Sequence, residues 1–129
     1  MLHPARFEPC GLTQLYAMHY GTLPIVRRTG GLCDTIVAAT DRSLDQGTAT
    51  GFAFESANVA DMLHCLERAL ALYRQPVAWR KVQRQAMAQD FSWPESARRY
   101  LALYHELAPQ PVVISEAVTA DPILEKDAG

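Results

Sequence analysis

Residues 6–13 read Arg-Phe-Glu-Pro-Cys-Gly-Leu-Thr, with a carboxylate, a proline, a thiol and a glycine in succession before an apolar helical pattern. A helix starting at about Gly11 or Leu12 leaves the N–H groups of Gly11, Leu12 and Thr13 without acceptors of their own. Such a terminus attracts anions by about 0.3–1 kcal/mol, rising to about 2 kcal/mol when partly buried. Gly11 lets a ligand approach the backbone, and the Thr13 hydroxyl adds a donor, so the string suits a phosphate group. Glu8, just before the turn, is placed to accept hydrogen bonds from a sugar hydroxyl. Cys10 is a candidate nucleophile, but no histidine stands at a spacing that would make it the base, so a packing or backbone-contact role is favoured. Residue types alone favour a plainer alternative in which Glu8 caps the helix and Cys10 packs as a small hydrophobe.

A second string, Arg27-Arg28-Thr29-Gly30-Gly31, follows an apolar run. An arginine such as Arg28 there can meet phosphate or carboxylate, and Gly30 and Gly31 permit a tight backbone path beside a ligand. A Gly-Gly after a strand is also the composition of an ordinary turn.

The elements that must position these residues follow from periodicity. Leu12, Leu15, Tyr16 and His19 fall on one helical face, and Gly21 ends that helix. Leu23–Arg27 reads as a buried strand with Pro24 near its start, followed by a helical turn around Asp34–Ala38. Asp41–Thr50 is polar and reads as a surface loop, and Gly51–Phe54 as another short strand. Ser56 or Asn58 then caps a helix with Val59, Met62, Leu63, Leu66, Leu70 and Tyr73 on its inward stripe. Pro76 suits the first turn of a helix to about Gln89, with Trp79, Val82 and Ala86 inward. Ser92 and Glu95 form a capping box for a last helix. The aromatic set Trp79, Phe91, Trp93, Tyr100 and Tyr104 reads as core. With a strand stub at residues 1–3, the order implies an α/β fold of about three parallel strands with flanking helices and a helical C-terminal section. The organisation expected is one partial domain over 1–108 and a mobile tail over 109–129, extended around Val112–Ser115.

Bulk composition narrows the function. The 129 residues are 49% apolar, with 12 basic and 14 acidic side chains and a formal charge of −2. That balance makes no electrostatic case for a nucleic-acid or membrane-surface partner, and no apolar run approaches a membrane span. MLHPARFE lacks the basic start and apolar stretch of a signal peptide, so a cytoplasmic protein is expected. Three cysteines, Cys10, Cys33 and Cys65, and four histidines show no metal-ligand spacing, so no metal is expected and the thiols should be reduced and at least half-buried.

Taken together, RFEPCGLTQLYAMHYGTLPIVRRTGGLCDT (6–35), ATGFAFE (49–55) and QRQAMAQDFSWPESARRYLALY (83–104) closely resemble bacterial glycogen synthase and plant starch synthase. The resemblance runs in order from residue 3 to about residue 106. It implies a GT-B glycosyltransferase with two Rossmann-like domains facing across a cleft. The implied reaction is transfer of glucose from ADP-glucose to the non-reducing end of an α-1,4-glucan with retention of configuration. By that resemblance Glu8 contacts the donor glucose hydroxyls, Cys10, Gly11 and Leu12 line the sugar and pyrophosphate pocket, and Thr13 lies at the phosphate–ribose end. ADP-glucose is then a substrate, and no cofactor is implied.

The sequence departs from the family where a second glutamate often holds the ribose, since Tyr16 stands there, as is usual in this branch. The family's Lys-x-Gly-Gly loop, its cleft histidine and its pyrophosphate-clamping Arg and Lys find no counterpart in these residues. The expectation is therefore a C-terminal fragment of a glycogen synthase, inactive on its own, that binds weakly or associates with another chain, either the family's N-terminal domain or a copy of itself.

Overall fold

The computed structural model describes residues 1–108. The tail beginning at residue 109, with the extended patch at Val112–Ser115, lies outside the described residues. Three short strands, β1 (Leu2–His3), β2 (Ile25–Arg27) and β3 (Phe52–Phe54), form a parallel sheet in the order β1-β2-β3. Leu2 stands opposite Ile25, and Val26 opposite Ala53. The central strand buries Val26 completely. It begins at Ile25, later than the expected Leu23, because Pro24 has no N–H to donate to a ladder. The carbonyl of Pro24 still accepts from the Phe52 N–H at 2.8 Å.

Since the strands are parallel, the loops that leave β1, β2 and β3 gather at one edge of the sheet. That is the edge where open α/β sheets hold ligands. Residues 4–12 and residues 28–30 are therefore neighbours, although Phe7 and Gly30 are far apart in the chain.

Helix α1 (Thr13–His19) buries Gln14 and Met18 and leaves Leu12 and Tyr16 more than half exposed. The inward face is thus rotated from the expected one, which ran through Leu12, Leu15, Tyr16 and His19. A buried amide is tolerated where it finds hydrogen-bond partners, and Gln14 finds them. Helix α2 (Gly31–Thr35) begins three residues before the expected turn. The expected surface loop at Asp41–Thr50 contains helix α3 (Asp41–Gln46). Its signal is a capping box without a glutamate. The Ser43 N–H donates to Thr40 Oγ1 at 3.2 Å, and the Thr40 N–H donates to Ser43 Oγ at 2.8 Å. Ser43 and Thr50 are buried, each hydrogen-bonded to a nearby backbone group.

In helix α4 (Val59–Tyr73) the buried positions are Cys65, Ala69 and Leu72, whereas Val59, Leu63, Leu70 and Tyr73 are exposed. The expected stripe is again rotated. The helix lies over β2 and β3, and small side chains at Cys65 and Ala69 allow that approach. Asn58 is its cap, accepting from the Asp61 N–H at 2.8 Å. Helix α5 (Pro76–Met87) buries Val82 and Ala86 as expected. Trp79, packed against the core, stacks on Phe52 with ring centroids 6.1 Å apart and meets Tyr73 edge-on at 5.1 Å. The Gln83 amide reaches back to the Gly21 carbonyl at 2.7 Å and ties α5 to the end of α1.

The chain divides into two compact units, Met1–Phe91 and a second that starts at Ser92. In the second unit, helix α6 (Trp93–Leu107) buries no residue. Trp93, Tyr100 and Tyr104 are exposed, as is Phe91 in the first unit, so the aromatic set expected in the core contributes only Trp79. Ser92 holds the cap position without a side-chain cap bond, and Glu95 pairs with Arg98 at 2.7 Å and Arg99 at 3.0 Å in place of closing a box. Among the described residues no helix is long and apolar enough to cross a membrane.

Candidate functional site

Glu8 sits in the loop that leaves β1. Its Oε2 lies 3.5 Å from Nε2 of His3, the last residue of that strand, with side chains 27% and 24% exposed. It does not cap α1, because the N-cap position is Leu12 and no side chain caps it. The backbone carbonyl of Glu8 accepts the Gly31 N–H at 3.1 Å, joining the loop to the start of α2.

That junction explains the two glycines. Gly30 has φ 47°, and a Cβ there would overlap the Glu8 carbonyl oxygen, while a Cβ on Gly31 would overlap the carbonyl oxygen of Cys10. The close approach they permit is between two stretches of backbone. Arg28 is engaged elsewhere, its Nε 3.7 Å from Glu55 Oε1. With Glu55, Asp61, His64 and Arg68 it lines a cavity of about 540 Å³ between β3 and α4.

The side chain that shapes the loop is Gln14. It is fully buried, and its Nε2 donates to the Cys10 carbonyl at 3.1 Å, the Gly11 carbonyl at 2.9 Å and Thr35 Oγ1 at 3.3 Å. The Thr35 hydroxyl donates onward to the Gly31 carbonyl at 2.8 Å. Two of the three neighbours of Nε2 are carbonyls, which only accept, so the amide must present its NH₂ to them. In a planar trans peptide the C=O and N–H point in opposite directions. Holding the Cys10 and Gly11 carbonyls inward therefore turns the Gly11 and Leu12 N–H groups away from Gln14. Neither donates a hydrogen bond among the described residues. Gly11, at φ 78°, is needed here too, since a Cβ would lie 2.6 Å from Gln14 Oε1.

The arrangement offers one carboxylate against an imidazole and, a few residues on, amide donors beside an exposed thiol. It can take hydroxyl groups at Glu8 and an anion at the amides. Of the residues singled out in the sequence, Glu8, Cys10, Gly11, Leu12 and Thr13 lie on one loop and helix start, with Gly30 and Gly31 buttressing it from behind. His3, Gln14 and Thr35 were missed. Gln14 carried a signal, a polar residue spaced four before the buried Met18, whereas nothing marked His3.

The cysteines separate cleanly. Cys10 and Cys33 are exposed, against the half-buried expectation, and Cys65 is buried. Burial pushes the Cys65 thiol pKa up, with nearby Arg68 opposing. Reactivity follows the exposed thiolate, so iodoacetamide at neutral pH is expected to modify Cys10 and Cys33 rapidly and Cys65 only after unfolding. Mass spectrometry that finds Cys65 alkylated as fast as the others would contradict this placement.

Comparison with known proteins finds similar sequences and a similar structure. No family model matches the chain. It is 59% identical over 107 residues to a glycogen synthase of Haemophilus influenzae strain PittGG, covering 83% of this chain and 22% of that protein. A glycogen synthase of Edwardsiella ictaluri is 57% identical over 104 residues, and glycogen synthase 2 of Nitrosococcus oceani is 55% identical over 109. Among solved structures, the catalytic domain of starch synthase IV from Arabidopsis thaliana, bound to ADP and acarbose, matches with a TM-score of 0.67 and 39% identity, over 83% of this chain and 22% of that one. The chain thus spans about a fifth of the length of the relatives it matches. Over that stretch it is similar, by sequence and by α/β fold, to the glycogen and starch synthases, which are GT-B glycosyltransferases.

Proposed function

We propose that the chain carries the donor-site loop of an ADP-glucose-dependent glucosyltransferase that extends α-1,4-glucans, and that it works in the cytoplasm. The observation that carries the reading is the Glu8–Thr13 loop, with its carboxylate and outward amides, in a fold shared with a starch synthase solved with ADP and acarbose. In this reading Glu8 holds the donor glucose hydroxyls. The amides of Gly11 and Leu12, with the backbone of Cys10 and the hydroxyl of Thr13, receive the diphosphate as charge develops on the leaving group. Helix α1 has only 7 residues, so the loop amides, more than the helix dipole, supply that stabilisation. Transfer proceeds on one face of the sugar with retention and uses one carboxylate, unlike the two-carboxylate scheme of retaining glycosidases.

A titration of the ¹⁵N-labelled chain with ADP tests the reading. The amides of residues 10–13 are expected to shift at millimolar ADP, and an unchanged spectrum overturns the assignment. The isolated 129-residue chain is expected to transfer no glucose. A charge-assisted hydrogen bond contributes about 1.5–3 kcal/mol, and the loop offers neutral amides where a diphosphate needs cations. Radiolabel from ADP-glucose appearing in glycogen above background would contradict this expectation.

A further inference from the structure

Gln14 and Thr35 touch no ligand in the donor-site reading, yet they set the direction of the groups that do. The Gln14 amide is completely buried and holds two successive carbonyls, those of Cys10 and Gly11. Thr35 Oγ1 accepts from the same amide, and its hydroxyl donates a hydrogen bond to the Gly31 carbonyl. The Gly31 N–H in turn reaches the Glu8 carbonyl. One chain of hydrogen bonds therefore connects the backbone of Glu8 with the peptides whose N–H groups face outward. A buried amide is costly unless bonded, and Gln14 Oε1 has no partner among the described residues. Packing alone at this position would be served as well by methionine, and the polar side chain is explained by what its NH₂ holds.

Resting on the donor-site reading, we propose that Gln14 and Thr35 form a positioning pair that aims the Gly11 and Leu12 N–H groups at the donor's diphosphate. Without the pair the two peptides are free to rotate, and the amide floor loses its pre-organisation. The effect acts on diphosphate affinity, and the sheet beneath is untouched.

The test is the ADP titration of the ¹⁵N-labelled chain, repeated for Gln14→Met, Thr35→Val and Thr35→Ser. Gln14→Met keeps length and apolar volume but removes the donor, and is expected to weaken ADP binding about tenfold or more. Thr35→Val is expected to weaken it several-fold, and Thr35→Ser, which keeps the hydroxyl, to bind as the parent does. Unshifted Val26 and Phe52 amides report an intact sheet in each variant. Should Gln14→Met fail to fold, the contrast between Thr35→Ser and Thr35→Val decides the matter. A parent chain that responds to ADP, with Gln14→Met and Thr35→Val binding equally well, overturns the positioning role alone. A parent chain whose Gly11 and Leu12 amides ignore ADP overturns the donor-site reading and the positioning role with it.

Discussion

Glu8→Gln is expected to lower glucose transfer from ADP-glucose by about 10²–10³-fold when the loop works in a whole enzyme. The setting for that measurement is a chimera in which the matching 107-residue stretch of this chain replaces its counterpart in the Haemophilus influenzae glycogen synthase. Glutamine keeps the length of Glu8 and one acceptor oxygen but loses the charge. A carboxylate accepts strong hydrogen bonds from hydroxyl groups, and those bonds strengthen as the sugar acquires positive character on the way to the transition state. The loss should therefore fall on kcat, with KM for ADP-glucose changed about threefold or less, because an interaction made mainly in the transition state leaves ground-state binding nearly intact. The 3.5 Å approach of His3 to Glu8 adds a second handle. His3→Val frees the carboxylate to turn and is expected to cost about tenfold, less than removing its charge. A folded Glu8→Gln chimera with kcat within threefold of the parent would remove Glu8 from the chemistry.

Gly30→Ala and Gly31→Ala are each expected to destabilise the chain by about 3 kcal/mol or more, out of a total typically about 5–15 kcal/mol. At Gly30 two costs combine. A φ of 47° is strained for any residue with a Cβ, and that Cβ would meet the Glu8 backbone. Backbone moves less readily than a side chain tip, so the loop or the start of α2 must shift. Gly31 adds no unusual φ, but its Cβ would strike the Cys10 backbone. Gly47→Ala is the control. Its φ is 69°, and an added Cβ meets only the flexible end of Lys81 at 3.5 Å, so the cost should be that of the left-handed turn, about 1–2 kcal/mol. Urea unfolding followed by circular dichroism measures all three. Equal losses at Gly31 and Gly47 would show that the two backbones do not meet as described.

How much of this was legible in the sequence depends on which physical signal each residue carries. The strand–helix alternation and the parallel sheet were readable because short apolar runs beside Gly or Pro recur between helical patterns. Helix faces were less readable. In α1 and α4 the buried stripes run through Gln14 and through Cys65 and Ala69, residues that hydrophobicity alone ranks below the exposed Leu12, Leu63 and Leu70. Burial there is decided by close approach and by hydrogen-bond satisfaction, neither of which is a property of a single residue. Helix α3 was missed because its box uses Ser43 where glutamate is usual. The loop residues were found from the types Glu8, Cys10 and Gly11, and their meaning came from resemblance. The supports behind them, His3, Gln14 and Thr35, act through contacts that span up to 21 positions, and no local pattern encodes such pairs.

The chimera without further substitution gives the most direct test of the donor-site assignment. Incorporation of glucose into glycogen is measured with ADP-glucose and, in parallel, with UDP-glucose, after circular dichroism has confirmed folding. Transfer from ADP-glucose within about tenfold of the parent synthase, and well above that from UDP-glucose, is the expected result. A folded chimera that leaves ADP-glucose untouched would contradict the assignment of this loop to the donor.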